Sequence, residues 1–95
     1  MRVCIIKGKR IPFMRSSTKY MGIPLKDLMK PAMASLVSEL NLEGKEIGEV
    51  ILGAVNKHAY DFALAREVVM DSKLSPHTPA TDIQKACGTS LEAAV

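Results

Sequence analysis

Apolar residues alternate between short runs and longer stripes. Val3-Cys4-Ile5-Ile6 is a β-branched run closed by Lys7-Gly8-Lys9, which predicts a strand buried on both faces over residues 2–7. Arg10-Ile11-Pro12-Phe13 then leads into a polar loop through Ser16, Ser17, Thr18 and Gly22. Leu25, Leu28, Met29, Ala32, Met33, Leu36, Val37 and Leu40 recur at helical spacing and make one continuous stripe. Pro31 lies off that stripe and is expected to bend the helix or to mark a late start. Asn41 and Gly44 supply a stop signal.

Glu49-Val50-Ile51-Leu52-Gly53-Ala54-Val55 reads as a second buried strand, followed by a polar loop from Asn56 to Asp61. A helical pattern returns from Phe62 to about Ser72, with Phe62, Ala65, Val68 and Val69 on one face and Asp61 placed to cap it. Pro76 and Pro79 punctuate the next loop, and Thr81 to Ala86 form a more polar third strand. The order β-α-β-α-β-α predicts an α/β fold with one mixed, mainly parallel sheet. Its strands lie near 2–7, 49–55 and 80–86, and the Leu28/Leu36/Leu40 stripe of the long helix packs on a sheet face. Leu91 to Val95 are good helix formers with no stop signal. Residues 1–95 are therefore expected to be the first piece of a larger domain, ending inside the helix that follows Cys87.

Ninety-five residues allow one small domain at most, so stability is expected to be marginal. The apolar runs fall far short of the roughly 20 residues that span a bilayer. No signal-peptide or transit-peptide pattern opens the chain, and a cytoplasmic protein is the expectation. The net charge of +3 is modest, and Lys7, Lys9, Arg10 and Arg15 form the densest basic cluster. A solvated surface is the plain reading of it, and an anion-facing patch the sharper one. No aromatic residues interleave with it, so nucleic acid is not expected as a partner. The two cysteines, Cys4 and Cys87, are widely separated and read as free thiols. Cys4, in an apolar run, reads as core.

Cys87 lies where a strand hands over to a helix. The free N–H groups and positive dipole end there favour a thiolate. Gly88 permits a sharp turn and leaves room for a substrate beside the sulfur. The amide of Cys87 is also placed to meet a developing oxyanion. On spacing alone, a buried and inert cysteine outweighs a nucleophile.

Four segments in register shift that balance. Arg10-Ile11-Pro12-Phe13, Glu49-Val50-Ile51-Leu52-Gly53, Ala65-Arg66-Glu67 and Ala86-Cys87-Gly88-Thr89-Ser90 together resemble the thiolases in order and spacing. The resemblance covers essentially the whole chain, and Gly22-Ile23-Pro24 is most similar to the β-oxidation 3-ketoacyl-CoA thiolases. It implies the N-terminal part of an α-β-α layered domain and a two-step acyl transfer through a Cys87 thioester. Acyl-CoA and CoA are then substrates, so coenzyme A is no resident cofactor, and no metal is implied. The resemblance further implies a homo-oligomer in the full-length protein, with a β-oxidation hydratase/dehydrogenase subunit as an additional partner. A His, a second Cys and an Asn-containing motif from later segments would complete the site. His58 and His77 fall in the wrong regions for that role and read as loop histidines. Arg66 reads as structural, holding a loop or a subunit interface. The alternatives are a noncatalytic thiolase-like or ketoacyl-synthase-like relative, and a truncated nonenzymatic interaction protein.

Overall fold

A computed structural model describes residues 1–95. Helix α1 (Leu25–Glu39) follows the apolar stripe and runs through Pro31, which is neither its start nor its end. Its C-terminus closes as a Schellman motif. Asn41 takes a left-handed φ of 54°, its N–H donates to Ser38 O at 3.2 Å, and Leu42 N–H donates to Val37 O at 2.9 Å. Strand β1 (Val50–Gly53), helix α2 (Leu64–Asp71), strand β2 (Ala80–Ile83) and helix α3 (Thr89–Ala94) follow, with a short 3₁₀ turn before α2 and another before α3.

The strands β1 and β2 pair in parallel, Val50 opposite Ala80 and Gly53 opposite Ile83. The crossover between them carries α2, which packs on both strands and on α1. Leu64, Ala65, Val68 and Val69 of α2 are all buried. Burial of an aliphatic side chain is worth about 1.5–3 kcal/mol, so this helix is the main apolar anchor of the fold. A cluster of Val37, Val50, Val69 and Leu74 joins α1, β1, α2 and the following loop, with Met33, Leu42 and Leu52 against it.

Three expectations are corrected. Residues 2–7 form no strand: the segment is exposed throughout, and Val3, Ile5 and Ile6 are at least four-fifths accessible. A β-branched run becomes a strand only when it makes ladder bonds, and this one joins neither outer edge of the two-stranded sheet of β1 and β2. Cys4 is consequently exposed rather than core. The Leu28/Leu36/Leu40 stripe is only half-buried. Leu36 and Leu40 look across a groove of about 370 Å³ toward Ile51 and Leu52 of β1, instead of seating on the sheet. Finally, Asp61 does not cap α2. It is buried in the preceding 3₁₀ turn and accepts from His58 N–H at 3.0 Å, while Phe62 points into solvent. The cap of α2 comes from the neighbouring strand, where Asp82 accepts from Leu64 N–H at 2.9 Å and Ala65 N–H at 2.7 Å.

Ion pairs tie α1 to its surroundings. Lys30 lies 3.2 Å from Asp27 and 3.3 Å from Asp71 of α2, and Lys26 also reaches Asp71 at 3.4 Å. The carboxyl of Asp71 is held below the usual range, chiefly by its hydrogen bond from Lys30. Glu39 is lowered by hydrogen bonds from Lys9 and Lys7, and Lys30 is raised by those to Asp27 and Asp71. The depressed carboxylates contribute fully above their unfolded values, and the contribution is lost as pH falls through the folded ones. The raised lysine contributes fully below its unfolded value, and that part is lost as pH rises through the folded one. All these groups face solvent, so the effect is small and salt-sensitive. NMR titration should give Asp71 and Glu39 midpoints below the ordinary carboxylate range. The Asp71 midpoint should move up in Lys30→Met and in about 1 M salt. Midpoints that are ordinary from the outset would contradict the pairing.

Candidate active site

The chain after β2 is fastened before it turns. Gln84 donates from Nε2 to Val55 O at 2.5 Å, joining the segments that follow the two strands. Asp82 also receives Lys57 Nζ at 3.0 Å, so one carboxylate ties β2 to α2 and to the loop after β1. Arg66 of α2 donates to Thr78 O at 2.9 Å and to Pro76 O at 2.8 Å. It therefore holds the loop that leads into β2, in line with a structural reading of this residue.

Cys87 sits in the 3₁₀ turn Ala86–Gly88 and is exposed. The left-handed residue of this turn is Ala86, with φ 44°. Gly88 itself has φ −93°, which any residue adopts, so the sharp turn does not depend on it. Space is open at Gly88, where an added Cβ would meet nothing within 4 Å. A side chain other than glycine in the left-handed region costs about 1–2 kcal/mol, and such conformations persist where their surroundings hold them.

The side chain of Thr89, buried at the start of α3, does the holding. Its hydroxyl accepts from Lys85 N–H at 2.9 Å and donates to Ala86 O at 2.7 Å, while Gly88 N–H donates to Lys85 O at 2.9 Å. Lys85 Nζ is drawn away to Glu92 at 3.1 Å. The sequence reading passed over Thr89 and Asp82. Thr89 carried a local signal, a hydroxyl three residues after the left-handed position it bonds. Asp82 carried none, because its partners are distant in sequence.

Other candidates lie apart from this turn. His58 and His77 are exposed and make no hydrogen bond to Cys87; His58 stacks on Tyr60 with ring centroids 5.1 Å apart. In the basic cluster, Lys7 and Lys9 engage Glu39, and the Arg10 guanidinium lies 4.7 Å from the centre of the Phe13 ring. No group of three His, Cys, Asp or Glu side chains is placed to hold a metal ion, and no helix is long and apolar enough to cross a membrane.

An exposed cysteine at a turn between a parallel strand and a helix leaves its sulfur open to a partner from solution. Comparison with known proteins bears on which one. The family model described as "Thiolase, N-terminal domain" matches residues 3–95. The 3-ketoacyl-CoA thiolase of Serratia proteamaculans is 35% identical over 92 residues, covering 97% of this chain and 21% of that protein. The 3-ketoacyl-CoA thiolases of Cronobacter sakazakii and Yersinia pestis are 34% and 33% identical over the same coverage. The chain thus spans about a fifth of the length of these relatives. With its α/β architecture and with the family model matched along nearly all of its length, the chain belongs to the thiolase family, as a thiolase N-terminal segment.

Proposed function

We propose that these residues serve an acyl-CoA C-acyltransferase that exchanges an acyl group between a 3-ketoacyl-CoA and CoA, with Cys87 as the acyl acceptor. The observation that carries this reading is the exposed thiol beside a left-handed Ala86, at the junction of β2 and α3. The Cys87 thiolate adds to the 3-keto carbon. The bond between C2 and C3 then breaks, its electron pair departs on C2 of acetyl-CoA, and C2 takes a proton. An acyl-thioester remains on Cys87. A CoA thiolate adds to its carbonyl and expels the Cys87 thiolate, giving the shortened acyl-CoA. Covalent capture divides one difficult exchange into two easier ones. The reverse direction would condense two acyl-CoA molecules.

A role in fatty-acid β-oxidation, a cytoplasmic setting and a homo-oligomeric full-length enzyme, joined by a hydratase/dehydrogenase subunit, complete the proposal. Coenzyme A enters as substrate, with no separate cofactor. The similarity to 3-ketoacyl-CoA thiolases supports acyl-CoA and CoA as the substrates. The groups that shuttle protons and complete the oxyanion holes are assigned to segments beyond these 95 residues, because Cys87 has no basic partner within them. The full-length protein should therefore cleave a 3-ketoacyl-CoA in a CoA-dependent reaction, followed by loss of the 3-ketoacyl absorbance. The 95-residue chain assayed alone should stay at background. Robust turnover by the short chain would show that the nucleophile needs no later groups, and an inactive full-length protein would contradict the acyltransferase reading.

A further inference from the structure

Thr89 is tied into the nucleophile turn from two sides. Its hydroxyl bridges the chain on either side of the bend, accepting from Lys85 N–H and donating to Ala86 O. Its γ-methyl lies against Gly53 at the end of β1, where an added Cβ would collide with Thr89 Cγ2 and with the carbonyl oxygen of Ile83. The residue is 4% exposed, so it offers nothing to a substrate. Ala86 takes the left-handed conformation without being glycine, and the hydroxyl bonded to its carbonyl is the only side-chain group that ties it there.

We infer that Thr89 is a positioning residue: its hydroxyl fixes the left-handed Ala86, and its methyl docks that bend on Gly53, so that Cys87 is presented in one orientation. The inference rests on the acyltransferase reading for its kinetic consequence but not for its geometry. A nucleophile displaced by about 1 Å loses up to ~100-fold in rate. Without the hydroxyl, Lys85 N–H loses its acceptor and Ala86 O keeps only its bond from the Thr89 backbone N–H.

Thr89→Val keeps the shape and removes the hydroxyl, and Thr89→Ser keeps the hydroxyl and removes the methyl. In the full-length protein, Thr89→Val should lower kcat by about 10- to 100-fold with KM for the 3-ketoacyl-CoA little changed. Thr89→Ser should stay within roughly 3-fold of wild type, because the hydrogen bonds survive. Alkylation of Cys87 by iodoacetamide, read by mass spectrometry against Cys4, gives a second readout that needs no turnover. Its rate should change in Thr89→Val and return in Thr89→Ser. Wild-type turnover and alkylation in Thr89→Val would overturn the inference, as would equal damage in both variants. Should Thr89→Val fail to fold, Thr89→Ser carries the test: activity and alkylation close to wild type support the inference, and their loss overturns it. A wild-type protein without thiolysis whose Cys87 alkylation still shifts only in Thr89→Val would keep the positioning role and remove the acyltransferase reading.

Discussion

Replacing Cys87 by alanine in the full-length protein should abolish thiolysis, with a fall on the order of 10³-fold or more, because a covalent step loses its nucleophile. The fold should be unaffected. Cys87 is exposed, makes no hydrogen bond through its sulfur, and occupies a turn fixed by Thr89 and Lys85 rather than by itself. Cys87→Ser should be nearly as damaging, since a hydroxyl at this position ionises far less readily than a thiol. Circular dichroism and the urea midpoint should match wild type in both variants. Substantial thiolase activity in Cys87→Ala would rule out the mechanism, and a large loss of stability would show that the turn depends on the thiol.

Gly53→Val should be the most damaging single change in the scaffold under the site. An added Cβ at this position collides with a backbone carbonyl, Ile83 O, which has no flexible end to swing aside, and with the methyl of Thr89. Strand β1 and β2 must separate, or α3 must lift with the bend that carries Cys87. Overpacking of this kind costs about 1–3 kcal/mol per site, and valine adds two further methyls to the clash. The urea midpoint of the full-length protein should fall accordingly, and Cys87 alkylation should lose its wild-type rate. A Gly53→Val protein with an unchanged midpoint and unchanged alkylation would show that the close approach at the top of β1 is not required.

Much of this was legible in the sequence where the signal is local. The spacing from Leu25 to Leu40 and the stop at Asn41 gave α1 almost to its ends, because helix periodicity and a left-handed cap are written within a few residues. The runs around Val50 and Thr81 were read as strands, though each proved shorter than expected. The run Val3–Ile6 carries the same strand signature and forms none, since local propensity does not by itself dock a run on a sheet edge. The capping of α2 was misplaced for a related reason. Asp61 satisfies the local pattern for an N-cap, whereas Asp82 reaches the same N–H groups from a strand 17 to 18 residues away. At the site, Cys87 and the strand-to-helix handover were visible. The division of labour around them was not: Ala86, rather than Gly88, takes the left-handed conformation, and Thr89 secures it. Gly53 reads from the sequence as one position within a strand over 49–55, and only the approach of Ile83 and Thr89 explains why no side chain fits there.

The central claim is that Cys87 carries the acyl group. Both cysteines of this chain are exposed, so accessibility alone does not favour one over the other. What separates them is setting: Cys87 stands at a fixed turn ahead of α3, and Cys4 lies in an exposed segment outside any helix or strand. Brief incubation of the full-length protein with a 3-ketoacyl-CoA in the absence of free CoA, followed by proteolysis and mass spectrometry, reads the site directly. The acyl mass should appear on the peptide containing Cys87 and disappear when CoA is added. An acyl group on Cys4, or one on Cys87 that CoA does not remove, would contradict the account.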